Sequence, residues 1–145
     1  MEIVTCAIGR EVDVYLAIGR GRDMATALGF DEIDRTRIEI VILELTRNIL
    51  VHAGSGQLRL EMLADGERRG IAVIATDQAN GIADIDLALR DGYSTAQTLG
   101  AGLPGVRRLM DEFAITSQVG QGTSVRAVKW LSRPRLAGIQ GGRQS

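Results

Sequence analysis

Residues 57–77 read QLRLEMLADGERRGIAVIATD, and this stretch decides the type of fold. In its first half, leucine and methionine alternate with arginine and glutamate, a pattern typical of a strand with one dry face. Asp65-Gly66 is a hairpin turn signal. In its second half, the continuous apolar run IAVIA indicates a central strand. The stretch therefore predicts two strands joined as a hairpin, at roughly 57–64 and 71–77.

Two helices are predicted before the hairpin. Apolar residues at helical spacing over 11–28 predict the first, and Gly29 ends it because glycine adopts the left-handed conformation at low cost. The second covers about 31–53 and begins with two acidic residues, which suit a helix N-terminus. It is apolar on most of its circumference, so we expect it to be buried on more than one side. A short strand is predicted at about 2–8.

The chain beyond the hairpin is predicted to contain a long loop, a helix and two strands. Residues 78–102 carry little core pattern beyond a short helix at 84–90, and long loops within compact domains are usually functional. The helix, over 103–113, has a proline in its first turn. The two strands follow at about 114–119 and 123–131, joined by a glycine-containing hairpin.

This order of elements, β-α-α-β-β-loop-α-β-β, predicts an α+β fold. We expect a two-layer sandwich in which helices pack on one face of a mixed or antiparallel sheet. A doubly wound nucleotide-binding fold is not expected, because the strands do not alternate with helices. Residues 1–132 are predicted to form one domain, and residues 133–145 a flexible tail without a core pattern.

Length and composition limit the classes of function. The 145 residues fit one domain, and a net charge of −1 without a basic stripe argues against a nucleic-acid partner. The sequence shows neither a signal peptide nor an apolar run near the ~18 residues of a membrane span. The one cysteine, Cys6, excludes an internal disulfide and is expected to be a small core residue. We therefore expect a soluble, cytoplasmic protein that binds neither nucleic acid nor membrane.

Glu44, Asn48 and His52 share one face of the second predicted helix, because they are spaced by one helical turn. A carboxylate and a carboxamide are costly on a largely apolar helix unless something uses them. The structural alternative is that Glu44 pairs with Arg47 on a solvated face, and that Asn48 and His52 have no special role.

Three further features are compatible with a ligand site. Asp77 ends an apolar strand, where its carboxylate can accept a hydrogen bond from an exocyclic amine; an ordinary Asx turn is the alternative. Gly100, Gly102 and Gly105 lead into a helix, so backbone N–H groups can approach a phosphate there, and a glycine-rich hinge is the alternative. The run Gly-Gln-Gly-Thr at 120–123 has a plain hairpin turn as its alternative.

The order and separation of these features resemble the Bergerat fold. Glu-x-x-x-Asn on a helix, Asp at a strand end, a glycine-rich lid and Gly-x-Gly-Thr at a hairpin are, in this order, the boxes of the ATP site in the gyrase, heat-shock chaperone, histidine kinase and mismatch-repair (GHKL) superfamily. The resemblance covers roughly residues 1–132. The segments DGYST at 91–95, LGAGLPGVRRLMDEF at 99–113 and AVKWL at 127–131 are similar to bacterial anti-sigma-factor serine kinases, and among these to stressosome switch kinases of the RsbT type.

The resemblance implies a role for each matching residue. Glu44 would be the general base, and Asn48 would hold the Mg²⁺ ion that bridges the ATP phosphates. Asp77 would accept a hydrogen bond from the adenine amine. The other nucleotide-binding residues would shape the adenine pocket and the phosphate lid: Gly81, Ile82, Gly100, Gly102, Leu103, Gly105, Gly122 and Thr123.

The resemblance also implies an activity and partners. It indicates an ATP-dependent serine/threonine protein kinase that phosphorylates STAS-domain proteins of a stressosome and, on release, activates a downstream phosphatase. An anti-sigma factor kinase that sequesters a sigma factor, and a non-catalytic ATP-binding module that works by partner exchange, are the alternatives. Ala79 stands where the family usually has glycine. If that residue requires a positive φ, alanine costs ~1 kcal/mol and nucleotide affinity is reduced.

Overall fold

The computed structural model describes residues 2–78 and 102–132. Within these residues, helices pack on one face of a five-stranded sheet. The elements in chain order are β1 (Ile3–Ile8), α1 (Glu11–Leu28), α2 (Glu32–His52), β2 (Gly56–Asp65), β3 (Arg68–Asp77), α3 (Leu103–Leu109), β4 (Glu112–Gln118) and β5 (Gly122–Trp130). The strand order is β1-β2-β3-β5-β4, and every neighbouring pair is antiparallel. The predicted α+β fold is confirmed, and β3 is the central strand that its apolar sequence predicts.

Local hydrogen bonds fix both ends of α1. The Asp13 carboxylate accepts the backbone N–H groups of Gly9 and Arg10, each at 2.9 Å. These two bonds hold the pKa of Asp13 below its ordinary value. At the other end, Gly29 has a φ of 96° and donates its N–H to carbonyls of the last turn. The predicted span of this helix is confirmed.

α2 is the central helix of the layer. Its N-cap residue Asp31 accepts a hydrogen bond from the backbone N–H of Asp34 at 2.8 Å. The helix packs against α1, α3 and the sheet, so the expectation that it is buried on more than one side is confirmed. Gly21 on α1 permits the close approach of the two long helices, because a Cβ there would collide with the side chain of Ile42.

The main core lies between the helices and the facing side of the sheet. Val4, Leu60, Val73, Ala127 and Phe113 are successive Cα partners across the five strands, and we call this set the central row. Leu60, Val73 and Ala127 have no exposed surface. Because burial of a leucine or valine side chain contributes about 1.5–3 kcal/mol, the central row accounts for part of the stability of the fold.

The outer face of the sheet carries a smaller apolar cluster of Ala72, Ile74 and Val128. Ala72 and Val128 are fully buried there. The register places Glu61 beside Ala72, and Glu61 forms an ion pair with Arg59 at 2.7 Å. Long charged side chains of the sheet itself therefore flank this small cluster.

The predicted C-terminal end of the helix over 103–113 is wrong. α3 ends at Leu109, and β4 begins at Glu112, earlier than predicted. The backbone N–H of Asp111 already donates to the carbonyl of Val128 at 2.8 Å. Pairing with β5 therefore outweighs the helical pattern at the end of this segment.

The helix predicted at 84–90 and the tail at 133–145 lie outside the described residues. The single domain over 1–132 stays a prediction. In the described ranges, no helix is long and apolar enough to cross a membrane.

Candidate functional site

A row of polar and small residues crosses one end of the sheet. Gly56, Asp77, Thr123 and Ser117 are successive Cα partners on β2, β3, β5 and β4, and we call them the polar row. Each lies an even number of residues from a member of the central row, so the polar row is on the same, helix-facing side. Asp77, Thr123 and Ser117 are half-buried. The sheet thus brings together two predicted site residues, Asp77 and Thr123, that are distant in the sequence.

Two glycines allow the neighbouring strands to lie close to Asp77. A Cβ at Gly122 would collide with the Asp77 carbonyl oxygen, and Gly122 has a φ of 102° that also favours glycine. A Cβ at Gly56 would collide with the Thr76 carbonyl oxygen, and would lie 2.9 Å from Cγ2 of Ile49 and 3.2 Å from Cβ of Asp77. A larger residue at either glycine would therefore displace the strand end that carries the Asp77 carboxylate.

Ser117 and Thr123 form a hydroxyl pair beside Asp77. Their oxygens are 2.9 Å apart, and Ser117 Oγ is also 3.2 Å from the carbonyl oxygen of Gly122. These contacts connect β4 to the first residues of β5. They give the Thr123 side chain a fixed position in the polar row.

Two cavities border Asp77. One, of about 220 Å³, has Asp77, Ser117, Gly122 and Thr123 in its lining. The other, of about 550 Å³, lies between the end of β1, the start of α1 and the strand end at Gly56. The second volume falls within the ~300–1,000 Å³ range of small-molecule sites. Both cavities border the end of β3, and neither has Glu44, Asn48 or Leu103 among the described residues of its lining.

Glu44 has no exposed surface on α2. The alternative of a solvated pair with Arg47 is therefore wrong, and Arg47 instead pairs with Glu11 of α1 at 3.4 Å. Asn48, one turn after Glu44, is half-buried, and His52 is exposed. A buried carboxylate costs free energy unless its charge is used, and an amide beside it can offer a carbonyl oxygen to a hard cation. The residue types at these two positions match the base and the metal ligand that the sequence predicts, and their roles stay predictions.

The start of α3 contains the described part of the glycine-rich segment. Gly102 has a φ of 72°, which favours glycine, and its carbonyl accepts the Val106 N–H at 3.1 Å. Leu103 and Gly105 are buried in the first turn. Four residues of the predicted site region lie outside the described residues: Ala79, Gly81, Ile82 and Gly100.

Sequence patterns do not identify two members of the polar row. Gly56 falls between the second predicted helix and the predicted hairpin, and Ser117 falls within a predicted strand. Their place in the site depends on which residues are opposite one another in the sheet. For Ser117, the glycine-containing hairpin between β4 and β5 would have been usable only with the register known, because the turn then fixes the residue that faces Thr123.

The chain belongs to the family described as Histidine kinase-like ATPase domain, whose sequence profile matches residues 11–129. The serine/threonine-protein kinase RsbT of Bacillus subtilis (strain 168) is 50% identical over 121 residues, which are 83% of this chain and 91% of that relative. The anti-sigma F factor of Pasteuria penetrans is 28% identical over 110 residues, which are 72% of this chain and 73% of that relative.

Two solved structures share the fold. The RsbU and RsbW domains of Rv1364c from Mycobacterium tuberculosis superpose with a TM-score of 0.63 at 18% identity, over 92% of this chain and 34% of that chain. The SiaB–SiaC complex from Pseudomonas aeruginosa gives a TM-score of 0.56 at 15% identity, over 88% of this chain and 89% of that chain. At these identities the likeness concerns the fold alone.

The comparisons confirm the family and the serine/threonine protein kinase activity that the sequence predicts. A domain of this family uses ATP. The roles of the individual site residues stay predictions.

Proposed function

We propose that this chain transfers the γ-phosphoryl group of ATP to a serine or threonine of a STAS-domain protein, and then exchanges partners to activate a phosphatase. The observation that carries the proposal is the full burial of Glu44, one turn before Asn48, in a chain 50% identical to a serine/threonine-protein kinase. The acceptor and the phosphatase come from the resemblance to stressosome switch kinases.

The polar row suits the adenine of ATP. The Asp77 carboxylate is an acceptor for the exocyclic amine. Because Gly122 has no side chain, the start of β5 can lie close to the backbone of Asp77. Thr123 completes the pocket on the next strand. Gly102, Leu103 and Gly105, with the preceding Gly100, are assigned to the phosphate lid, and Gly81 and Ile82 to the base.

Glu44 and Asn48 are assigned to the transfer step. ATP supplies the phosphoryl group. The Asn48 side-chain oxygen would hold a Mg²⁺ ion, which would neutralise phosphate charge when bound. Glu44 orients the acceptor hydroxyl and takes its proton as the hydroxyl oxygen bonds to phosphorus and ADP leaves.

The test is transfer of labelled phosphate from Mg-ATP to a stressosome-type STAS-domain protein. Glu44→Gln keeps the shape of the buried side chain and removes its basicity, so transfer should fall by roughly 10²–10⁴-fold while ATP affinity, measured by calorimetry, stays nearly intact. Glu44→Ala should abolish transfer as well.

Glu39→Gln is the matched control, because Glu39 is on the same helix but pairs with Arg22 of α1 at 3.1 Å. It should retain transfer. Unchanged transfer in Glu44→Gln, or loss of ATP binding in that variant, would contradict the assignment of Glu44 as the base.

An anti-sigma factor kinase is the second candidate, because an anti-sigma F factor is 28% identical to this chain. Co-purification from the native cells separates the two. A STAS-domain protein together with a phosphatase supports the switch kinase, whereas a bound sigma factor supports the second candidate. ATP binding without transfer to any STAS-domain protein would instead support a non-catalytic module.

We also infer the extent and the compartment of the kinase. The nucleotide site we assign uses residues from α2 to the start of β5, so one domain over 1–132 is sufficient to contain it. A soluble STAS-domain acceptor and ATP are both available in the cytoplasm, which is the compartment we propose.

A further inference from the structure

Two of the segments that carry the family resemblance contact each other directly after α3. One ends in Asp-Glu-Phe, and the other reads AVKWL and forms the end of β5. The Asp111 backbone N–H donates to the Val128 carbonyl at 2.8 Å, and the Asp111 carboxylate accepts the Trp130 backbone N–H at 2.7 Å. The same carboxylate forms an ion pair with Lys129 at 3.4 Å. The segment that follows α3 is therefore attached to three successive residues of β5.

Lys129 also contacts the first turn of α2. Its Nζ lies 3.8 Å from Oδ1 of Asp34 and 3.4 Å from Oδ1 of Asp111, and we call this three-residue contact the lysine bridge. The Lys129 and Asp34 side chains are only 13% and 15% exposed. Their charges are therefore less screened by water and salt than those of a surface pair. One ammonium group thus connects the N-terminus of α2 to the segment that follows α3.

The lysine bridge lies on the helix-facing side of the sheet, far from the polar row. Lys129 is two residues from Ala127 of the central row and six residues from Thr123, which is about 20 Å along an extended strand. The bridge therefore acts on the site only through the helices that it holds. One of them, α2, carries Glu44 and Asn48, and α3 packs against α2.

We propose that Lys129 is a positioning residue for phosphoryl transfer, because it holds α3 in place relative to the helix that carries Glu44 and Asn48. The inference rests on the kinase function proposed above. α3 has seven residues, so a shift at its C-terminal end also moves its start at Gly102, which is assigned to the phosphate lid. Without the bridge, apolar contacts keep α3 on the core but fix its position less strictly, because they are non-directional.

Removal of Lys129 leaves both carboxylates of the bridge with other partners. Asp34 retains its ion pair with Arg37 at 2.9 Å, and Asp111 retains the Trp130 backbone N–H. Lys129→Met keeps an unbranched apolar side chain at this position. This variant therefore breaks the bridge without leaving either carboxylate unpaired, and we expect it to fold.

The test is transfer of labelled phosphate to a stressosome-type STAS-domain protein by the full-length Lys129→Met chain, at saturating Mg-ATP and low temperature. The rate should fall by roughly 10- to 100-fold, because a misplacement of ~1 Å caused far from the chemistry can cost about 100-fold. ADP affinity, measured by calorimetry, should stay within a few-fold, because the adenine pocket is at the other end of the sheet. A residue that only stabilises the fold would change urea denaturation and leave this rate unchanged.

Three further variants separate positioning from a loss of charge or of stability. Lys129→Arg keeps the cation and should restore most of the rate. Arg126→Met is the matched control, because Arg126 is on the same strand and pairs with Glu112 at 3.9 Å on the outer face; it should retain the rate. Asp111→Asn should lower the rate, and in that background Lys129→Met should add little, because both changes break the same bridge.

The outcomes distinguish this inference from the function on which it rests. A wild-type chain that transfers phosphate, with a Lys129→Met variant that transfers it equally fast at saturating ATP, would overturn the role of Lys129 alone. An equal loss in Lys129→Arg or in Arg126→Met would also overturn it, since neither change breaks the bridge. A wild-type chain that transfers no phosphate would overturn the kinase function and this inference together.

Discussion

The central row and the polar row lie on the same face of one sheet, four residues apart along each strand, yet they differ in chemistry. The central row places Leu60, Val73 and Ala127 side by side with no exposed surface. The polar row replaces these partners with Gly56, Asp77 and Thr123. The backbone pairing is continuous through both rows, so the sheet does not itself require the polar residues.

This difference makes it possible to test stability and nucleotide affinity separately in this molecule. Apolar side chains in the central row stabilise the fold whether or not a ligand is present. The carboxylate and hydroxyls of the polar row are half-buried groups whose desolvation is unfavourable unless they are hydrogen-bonded. Substitutions in the first row should therefore change stability, and substitutions in the second row should change nucleotide affinity.

The largest effect on nucleotide affinity is expected at Asp77. Asp77→Asn preserves size but replaces one acceptor oxygen by an amine, which cannot accept from adenine. ATP binding should be lost in calorimetry, a decrease of at least ~100-fold or about 2.7 kcal/mol, while the midpoint of thermal unfolding without nucleotide changes little. An unchanged ATP affinity would show that Asp77 is not part of the nucleotide site, and would contradict the assignment of the polar row to binding.

Leu60→Ala should produce the opposite result. Leu60 is fully buried, so the variant leaves a cavity between β2 and the helices and should lower the free energy of unfolding by about 2–5 kcal/mol. The measurement is urea denaturation of the nucleotide-free chain. ATP affinity of the folded variant, measured at low temperature, should stay within a few-fold of the wild type, and a large loss of affinity would show that the two rows are coupled.

Gly56→Ala tests a residue that contacts both the core and the polar row. The added methyl group would collide with the Thr76 carbonyl oxygen, and would also press on Ile49 of the core and on Asp77 of the site. We expect ATP affinity to fall by roughly tenfold and stability by about 1–3 kcal/mol, the usual cost of inserting a methyl into a packed region. Calorimetry and urea denaturation on one preparation measure both, and a change in neither would mean that the strand end relaxes freely.

The smallest effect is expected at the N-terminus of α2. Asp31→Ala removes the cap on Asp34 and should lower the free energy of unfolding by about 1 kcal/mol. Because α2 carries Glu44, the same variant tests whether a weakened helix end affects transfer. Activity equal to wild type at low temperature is expected, and a severe loss would show that the helix moves as a whole.

Acidification offers a further check on the helix layer. The backbone N–H groups of Gly9 and Arg10 lower the pKa of Asp13, so the ionised carboxylate favours the folded state. This contribution is complete above the ordinary pKa of an aspartate, near ~4, and is lost as the pH falls through the lowered value. Asp13→Asn should therefore reduce the acid dependence of unfolding in that window, and identical pH profiles for variant and wild type would contradict this.

Local sequence signals predict most of the elements correctly. Gly29 and Asp31 mark the junction of α1 and α2, and Asp65-Gly66 marks the turn of the central hairpin, because glycine and capping residues act over a few residues. The end of α3 is predicted wrongly because it is decided by pairing with β5, a strand that follows later in the chain. Local pattern contains no information about that partner.

The sequence likewise predicts some residues of the candidate site and not others. Asp77 and Thr123 stand out because each falls in a motif with its own spacing, and the structure makes them Cα partners. Gly56 and Ser117 carry no such motif, and their importance follows from the register of strands that are distant in sequence. Burial of Glu44 likewise depends on how α2 packs, so the sequence left its solvated alternative open.

The polar row also links the stability of the protein to the nucleotide supply of the cell. Its members come from β2, β3, β4 and β5, so they are neighbours only in the completed sheet. A nucleotide that contacts them binds the folded chain and has no equivalent site on the unfolded one. By mass action, a free ligand at a hundred times its dissociation constant adds about 2.7 kcal/mol to the free energy of unfolding. The lifetime of such a protein would therefore follow the supply of nucleotide, and energy depletion would shorten it before any change in synthesis.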